Sequence, residues 1–273
     1  MTATVYPLAV VPPQRTSPFV KAVKAEWVKL RTLRSTWLTV GAAMAASVVL
    51  GAAIVESTVS QWDSMTAKQR LSFDATSSSM IGVLFGAVIL GGLAVRAITS
   101  EYGSGMIRTT FTALPKRRSV LAAKAVAVAT VAFPIVLALD FVTFVIGQQI
   151  LAAKHVQASL STPGVGRALI LGALVISLVT VIGVGLGAII RHTAGATTAL
   201  SLVLIGGALF ANFLPAGFRQ YLPETALQAA VTVHRSAGLL TPFTAVGVVA
   251  AYAVGIFGVA MLRVASRDAC AIS

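Results

Sequence analysis

Long stretches without a charged residue most limit how this 273-residue chain can fold. Six apolar stretches recur along it, the third interrupted by Asp140, and the charges lie mainly between them. A helix of about 20 apolar residues is long enough to cross the hydrocarbon core of a bilayer. A soluble domain would need many more charges than the 11% found here to cover its surface. The sequence therefore predicts an all-α polytopic membrane protein. Its six transmembrane helices are expected at about 37–55, 80–98, 123–146, 168–190, 194–214 and 242–262.

The placement of lysine and arginine predicts which side of the membrane each loop faces. With six spans, both termini and the loops after the second and fourth spans share one side, and they hold 15 of the 21 basic residues. We expect that side to be the cytoplasm and the protein to lie in the cell membrane. Most of the net charge of +13 is then a topology signal, and nucleic acid is not an expected partner.

Segments outside the spans complete the predicted domain plan. Residues 1–18 are expected to form a disordered leader and residues 263–273 a cytoplasmic tail. Residues 19–35 place apolar side chains on one helical face and lysines outside it, which predicts an amphipathic helix in the cytoplasmic interface, in contact with membrane lipids. The alternative is a basic flank without a helix. Residues 215–241 are too apolar for a free loop and too interrupted for a span, which favours a short extracellular re-entrant segment.

The loop at residues 99–124 is the most distinctive stretch outside the spans. Gly103 and Gly105 allow the chain to turn as it leaves the second span. Residues 106–114 have a helix-compatible spacing, and Pro115 would end that helix. A basic cluster follows it. The pattern predicts a short amphipathic helix on the cytoplasmic face, which can serve as an anchor or as a contact for another protein.

Two motifs resemble type-2 ABC transporter permeases, the exporter class that includes drug, lipid and polysaccharide transporters. The pattern E-x3-G-x2-R-T-T-x4-P-x-R-x6-K, from Glu101 to Lys124, resembles the loop between the second and third spans of that family. The pattern E-W-x-K-L-R-T-x-R-S, from Glu26 to Ser35, resembles the connecting helix with which such permeases begin. Together with the predicted spans, the resemblance covers essentially the whole chain.

This resemblance implies a function and a set of partners. The loop would form a coupling helix seated in a groove of a separate ABC ATPase subunit. Two permeases, as a homodimer or a heterodimer, would assemble with two ATPase subunits and move an amphipathic, drug-like or lipidic substrate outward. No cofactor is expected in this chain, because ATP and Mg²⁺ would be bound by the ATPase. The residues expected at the coupling contact are Glu101, Gly105, Arg108, Thr109, Thr110 and Pro115.

Asp140 is the one acidic residue within a predicted span. A charge at the bilayer centre costs about 2.5–3.5 kcal/mol on insertion scales, so such a carboxylate usually has a partner or faces a cavity. Asp140 is therefore a candidate substrate contact or interhelical polar contact. The alternative is a hydrated position near the outer interface.

Other residues of the spans have predicted packing roles. Gly183 and Gly187 form a G-x3-G pair, which favours close approach of helices, and Gly82 and Gly86 share that spacing. Lys124 is expected to extend its side chain to the cytoplasmic interface.

Three other functions are weaker fits to the sequence. An ion-coupled secondary transporter normally needs embedded carboxylates or broken helices, for which Asp140 alone is thin support. An ABC importer permease typically carries E-A-A-x3-G in a later loop, whereas this loop is early and begins E-Y-G-S-G. An intramembrane enzyme would need an acidic pair, a Ser–His pair or metal ligands. Neither a catalytic residue nor a metal site is expected.

Overall fold

The computed structural model describes residues 17–107, 117–210, 213–234 and 238–266, and every regular element in these ranges is helical. The predicted leader lies almost wholly outside the described residues, as does most of the predicted C-terminal tail. In chain order the helices are α1 (Pro18–Thr32), α2 (Arg34–Ser60), α3 (Ala67–Leu71), α4 (Ala75–Ser79), α5 (Val83–Gly103), α6 (Arg117–Leu151), α7 (Val165–Ile190), α8 (Thr193–Phe210), α9 (Ala216–Arg219), α10 (Pro223–Val231) and α11 (Pro242–Ser266).

Five helices among the described residues are long and apolar enough to cross a membrane, namely α2, α5, α6, α7 and α11. They make the chain a multi-pass membrane protein. The remaining predicted span, the fifth at about 194–214, corresponds to α8, which is apolar but shorter than these five. A count of six transmembrane helices therefore stays a prediction.

Several helices are longer than the uncharged runs that predict them. α2 continues to Ser60, and α6 extends from Arg117 to Leu151 with Pro134 inside it. Charged and polar side chains do not end a helix at the edge of a membrane, because they can reach water while the backbone stays hydrogen-bonded. α5 instead begins late, at Val83, because the short helix α4 precedes it.

α7 is the central helix of the bundle and packs against α5, α6 and α11. Most of its residues are buried, whereas most residues of α2 and α11 are not. A helix that is apolar all round and surrounded by other helices belongs to the interior of a bundle. The exposed apolar faces of α2 and α11 are the surfaces expected to meet lipid.

Small residues allow the central helices to approach closely. A methyl group at Gly183 would lie 2.7 Å from the carbonyl oxygen of Gly91 in α5, and one at Gly187 would overlap an α5 side chain. Gly82 and Gly86 are packed in the same way against α2. These contacts confirm the predicted role of both glycine pairs in close helix packing.

The two ends of the bundle are closed differently. At one end α1 packs against α6, and α1 covers most of the helix predicted at 19–35. At the opposite end, the Asp74 carboxylate accepts hydrogen bonds from the backbone N–H groups of Thr76 and Ser77 in α4 and of Val233 and His234 after α10. This carboxylate ties α4 to α10 as a cover over the bundle. The cover includes part of the predicted segment 215–241, whose re-entrant insertion stays a prediction.

Candidate functional site

Four charged residues meet where the loop 99–124 leaves the bundle. Glu101 lies in the last turn of α5, Glu26 and Lys29 lie on α1, and Lys124 lies in the second turn of α6. The Lys124 ammonium donates to Glu26 Oε2 and to Glu101 Oε1, the latter at 2.9 Å. The Lys29 ammonium donates to Glu101 Oε1 at 2.9 Å and to Glu26 Oε1 at 3.1 Å. We call these four residues the ion-pair cluster.

The charges of the ion-pair cluster balance one another in a largely buried place. The side chain of Lys124 is 1% exposed, and both carboxylates are buried, while Lys29 is 39% exposed at the edge. Burial opposes the charge on Lys29, but its hydrogen bond to Glu101 and the attraction of Glu26 outweigh that effect and raise the pKa of Lys29. Two carboxylates and two ammonium groups thus hold α1, α5 and α6 together.

A second buried ionisable group lies further along α6. Asp140 is 0% exposed, and neither oxygen of its carboxylate has a hydrogen-bond partner among the described residues. The carboxylate faces a cavity of about 420 Å³ whose walls come from α4, α5, α6, α7, α8 and α10. Asp140 therefore lies in the interior of the protein rather than on its outer surface.

The cavity beside Asp140 is mainly apolar, with side chains such as Met80, Ile176 and Leu204 in its walls. Glu224 also lines it, packs against Gly207 of α8 and has an interaction of its own. None of its described lining residues is basic or aromatic. The described part of the chain contains no group of three His, Cys, Asp or Glu side chains that could hold a metal ion.

Gly172 of α7 makes room for the Asp140 carboxylate. A methyl group at this position would lie 2.8 Å from Asp140 Oδ2 and 3.1 Å from both Met80 and Val231. Real side-chain atoms do not approach so closely, so a larger residue would displace the carboxylate or its neighbours. The absence of a side chain on α7 therefore helps to create the space in front of Asp140.

Comparison with known families identifies the class of protein. A family model described as ABC-2 family transporter protein matches residues 22–209, which is well over half of the chain. The chain belongs to this family. No curated protein matches it in sequence. As an ABC-2 permease it is a membrane subunit for transport, and the matched range contains both the ion-pair cluster and Asp140.

The permease structure describes only part of the predicted coupling contact. Glu101 is in the ion-pair cluster, and Gly105 has a φ of +73°, a left-handed conformation that glycine adopts readily. Ile107, just beyond, is buried in an apolar cluster that also contains Leu30 of α1 and Leu121 of α6. The remaining candidates lie outside the described residues: Arg108, Thr109, Thr110 and Pro115. The coupling helix of the permease therefore stays a prediction.

Sequence reasoning missed the partners that Glu101 has in the permease. The prediction that Lys124 extends to the interface is wrong, because two carboxylates hold its ammonium group inside the bundle. Glu26 interrupts the apolar face of α1, and the structure explains it as a partner of Lys124. The available signal was a single acid on an otherwise basic helix, together with a single lysine at the start of an apolar run.

Proposed function

We propose that this ABC-2 permease is the transmembrane subunit of an ATP-driven exporter in the cell membrane. It would couple to a separate ABC ATPase through the loop 99–124 and move an amphipathic, drug-like or lipidic substrate outward. The observation that carries this proposal is the ion-pair cluster at the root of that loop. ATP and Mg²⁺ would be bound by the ATPase, and both termini of the permease would be cytoplasmic.

The ion-pair cluster makes the base of the loop a firm point of attachment. Glu101 is buried and bonded to ammonium groups from α1 and from α6. A displacement of the loop would therefore move the ends of three helices together instead of bending one connection. Packed elements with two discrete arrangements transmit such displacements because their interiors do not deform continuously. This arrangement suits a segment on which a partner protein acts.

The surface of the permease supports the other proposed partners. α2 and α11 expose large apolar side chains such as Leu38 and Val254. These faces are suited to lipid and to a second permease subunit, either identical or a sister chain. α1 exposes Trp27 beside its lysines, a combination that favours the headgroup region of a membrane. α1 would then lie in the cytoplasmic interface.

Asp140 is the one specific feature that favours an ion-coupled secondary transporter, since embedded carboxylates carry ions or protons in that class. Membership of the ABC-2 family favours ATP-driven transport instead. The two functions differ in a simple respect. Transport by the purified permease under an ion gradient, with no ATPase present, would contradict the proposal.

Reversal of one charge in the loop tests the coupling to the ATPase. We expect Arg108→Glu, or deletion of residues 106–114, to abolish co-purification of an ATPase subunit from membranes. The partner is identified in mass spectra as an ATPase by its phosphate-binding loop sequence. Lys68→Glu is the matched control, because Lys68 lies in α3 at the opposite end of the bundle.

The control variant should retain the ATPase, and all variants should elute as folded protein in size-exclusion chromatography. Retention of the ATPase by both the Arg108→Glu and deletion variants would show that another surface makes the contact. A second readout is ATP hydrolysis by the reconstituted complex, which the loop variants should reduce to the level of the isolated ATPase.

A further inference from the structure

The Asp140 carboxylate lacks any compensating group among the described residues. It is completely buried, both its oxygens are without hydrogen-bond partners there, and Glu224, the only other acid among the described lining residues, has an interaction of its own. Burial of a carboxylate without a partner costs free energy, and proteins retain such a group mainly where it has a function. A cationic group that enters the cavity would supply the missing partner.

The cavity has the dimensions and the lining of a site for a small organic molecule. Its volume of about 420 Å³ lies within the range of about 300–1,000 Å³ that is usual for ligand pockets. Apolar side chains form most of its walls, and the polar groups of Ser77, Thr225 and Gln228 lie toward the cover made by α4 and α10. An occupant would therefore need an apolar body as well as a charge.

We propose that this cavity binds a lipophilic amine in its protonated form, whose ammonium N–H donates a hydrogen bond to the Asp140 carboxylate. The lining carries two acidic residues and, among its described members, no basic one, so its charge selects cations. The inference that such an amine is the transported substrate rests on the proposed function. The inference that the cavity binds the amine depends on the cavity alone and needs no ATPase.

The lining also predicts which kind of cation is preferred. Quaternary ammonium groups cannot donate a hydrogen bond and are usually recognised by aromatic side chains. The described lining of this cavity has no aromatic residue, but it has a carboxylate that can accept. A protonated amine therefore fits the site better than its quaternary analogue.

The cavity has an edge through which a membrane-dissolved amine can enter. Ile81, before α5, and Ile205, on α8, both line the cavity and are exposed to about two fifths of their surface, so the cavity is open beside them. Apolar side chains at such an edge are suited to the hydrocarbon region of a bilayer. Lipophilic amines concentrate there, so entry from lipid fits both the ligand and the site.

Binding of radiolabelled propranolol, a lipophilic amine protonated at neutral pH, tests the inference directly. The purified full-length permease is placed in nanodiscs of uncharged phosphatidylcholine, and binding to empty nanodiscs is subtracted. Since a hydrogen bond to a charged group contributes about 1.5–3 kcal/mol, Asp140→Asn should weaken binding by about 10- to 100-fold. Asp140→Glu should retain part of the affinity, and Asp63→Asn, at an exposed acid that does not line the cavity, should bind as the wild type does.

Competing ligands distinguish the proposed chemistry from its alternatives. Neutral N-acetylpropranolol and the quaternary N,N-dimethyl analogue should each compete at least about tenfold less well than propranolol. Equal binding of the neutral analogue, or unchanged affinity in Asp140→Asn, would overturn the inference. Thermal stabilisation of the wild type by sodium chloride, absent in Asp140→Asn and with no specific amine binding, would assign the site to an inorganic cation and also overturn it.

Two further measurements keep folding and coupling separate from binding. Gly172→Ala fills the space beside the Asp140 carboxylate and keeps its charge, so it should also weaken propranolol binding. If Asp140→Asn does not fold, this variant decides the question, and unchanged binding in it would contradict the inference. Asp140→Asn should still co-purify with the ATPase, so loss of amine binding is distinguishable from failure of the proposed coupling.

Discussion

The two buried ionisable groups of α6, Lys124 and Asp140, have opposite surroundings. They lie sixteen residues apart on one continuous helix, about 24 Å at the usual rise, and both are almost fully shielded from solvent. Lys124 meets two carboxylates from two other helices. Asp140 meets an apolar cavity and has no hydrogen-bond partner among the described residues.

The difference indicates two roles, because Lys124 makes a contact within the protein whereas Asp140 is left open to a ligand. Buried charges that satisfy one another hold their helices in one arrangement, and removal of one partner leaves the others exposed to a low-dielectric interior. A buried carboxyl group without a hydrogen-bond partner among the described residues contributes nothing of this kind to folding, so its presence points to a ligand. The same helix therefore carries a structural charge at the α1 end and a binding charge at the cavity.

Loss of the Lys124 charge should have the largest effect on stability. Among the described residues, Lys124→Met leaves the buried Glu26 and Glu101 with only the partly exposed Lys29 as a partner, and breaking a buried ion pair in this way costs about 3–5 kcal/mol. The free energy of unfolding, measured by titration with SDS in mixed micelles, should fall by that amount.

A triple variant serves as the control for this prediction. Glu26→Gln, Glu101→Gln and Lys124→Met together remove the uncompensated charges, and they should recover much of the lost free energy of unfolding. A single Lys124→Met variant within about 1 kcal/mol of the wild type would mean that the cluster is solvated in the membrane-embedded protein.

Loss of the Asp140 charge should act in the opposite direction. Asp140→Asn keeps the shape of the side chain and removes an ionisable group that has no hydrogen-bond partner among the described residues, so we expect unchanged stability or a gain of up to about 2 kcal/mol. The same SDS titration measures it. A loss comparable to that of Lys124→Met would show that Asp140 is paired in the folded protein, and the contrast between the two ends of α6 would disappear.

The sequence alone was sufficient to predict the helices and to identify Asp140 as an unusual residue. Apolar runs predict the positions of the five helices long enough to span a membrane, because lipid requires every spanning segment to satisfy its own backbone. A single acid in such a run stands out at once. Neither inference needs any knowledge of which helices pack together.

The partners of Lys124 could not be predicted because they depend on tertiary packing. Glu26 is 98 residues away in the chain, and only the packing of α1 against α6 brings the two side chains together. The cavity at Asp140 was equally hidden, since it is built from six helices and depends on the missing side chain of Gly172. Composition indicates that a residue is unusual, but only the fold shows what it faces.

Lys29 is the exposed edge of the ion-pair cluster and should contribute less than Lys124. Because its ammonium is partly solvated, Lys29→Met should lower the free energy of unfolding by no more than about 1 kcal/mol. The pKa of Lys29 is raised by its two carboxylate partners. Its contribution should therefore be complete below the unfolded-state pKa of about 10.4 and be lost as pH rises through the higher folded-state pKa.

The difference between wild type and Lys29→Met isolates this group from the other lysines that titrate in the same range. That difference should be constant from neutral pH to about pH 10 and shrink above it. A difference that grows with alkaline pH would mean that the carboxylates do not stabilise the charged form of Lys29.

The smallest effect on stability is expected from a charge pair that makes the same kind of contact as the ion-pair cluster but is exposed to solvent. Lys154, just after α6, donates to Asp63, whose side chain is 77% exposed, and this hydrogen bond lowers the pKa of Asp63. A lowered pKa contributes stability above the unfolded-state value of about 3.9 and loses it in acid, but water and salt screen an exposed pair of this kind. Asp63→Asn should therefore leave the SDS unfolding midpoint unchanged at neutral pH, in low and in high salt alike. A loss near that of Lys124→Met would mean that the contact itself, and not its burial, determines how strongly a charge holds α6 in place.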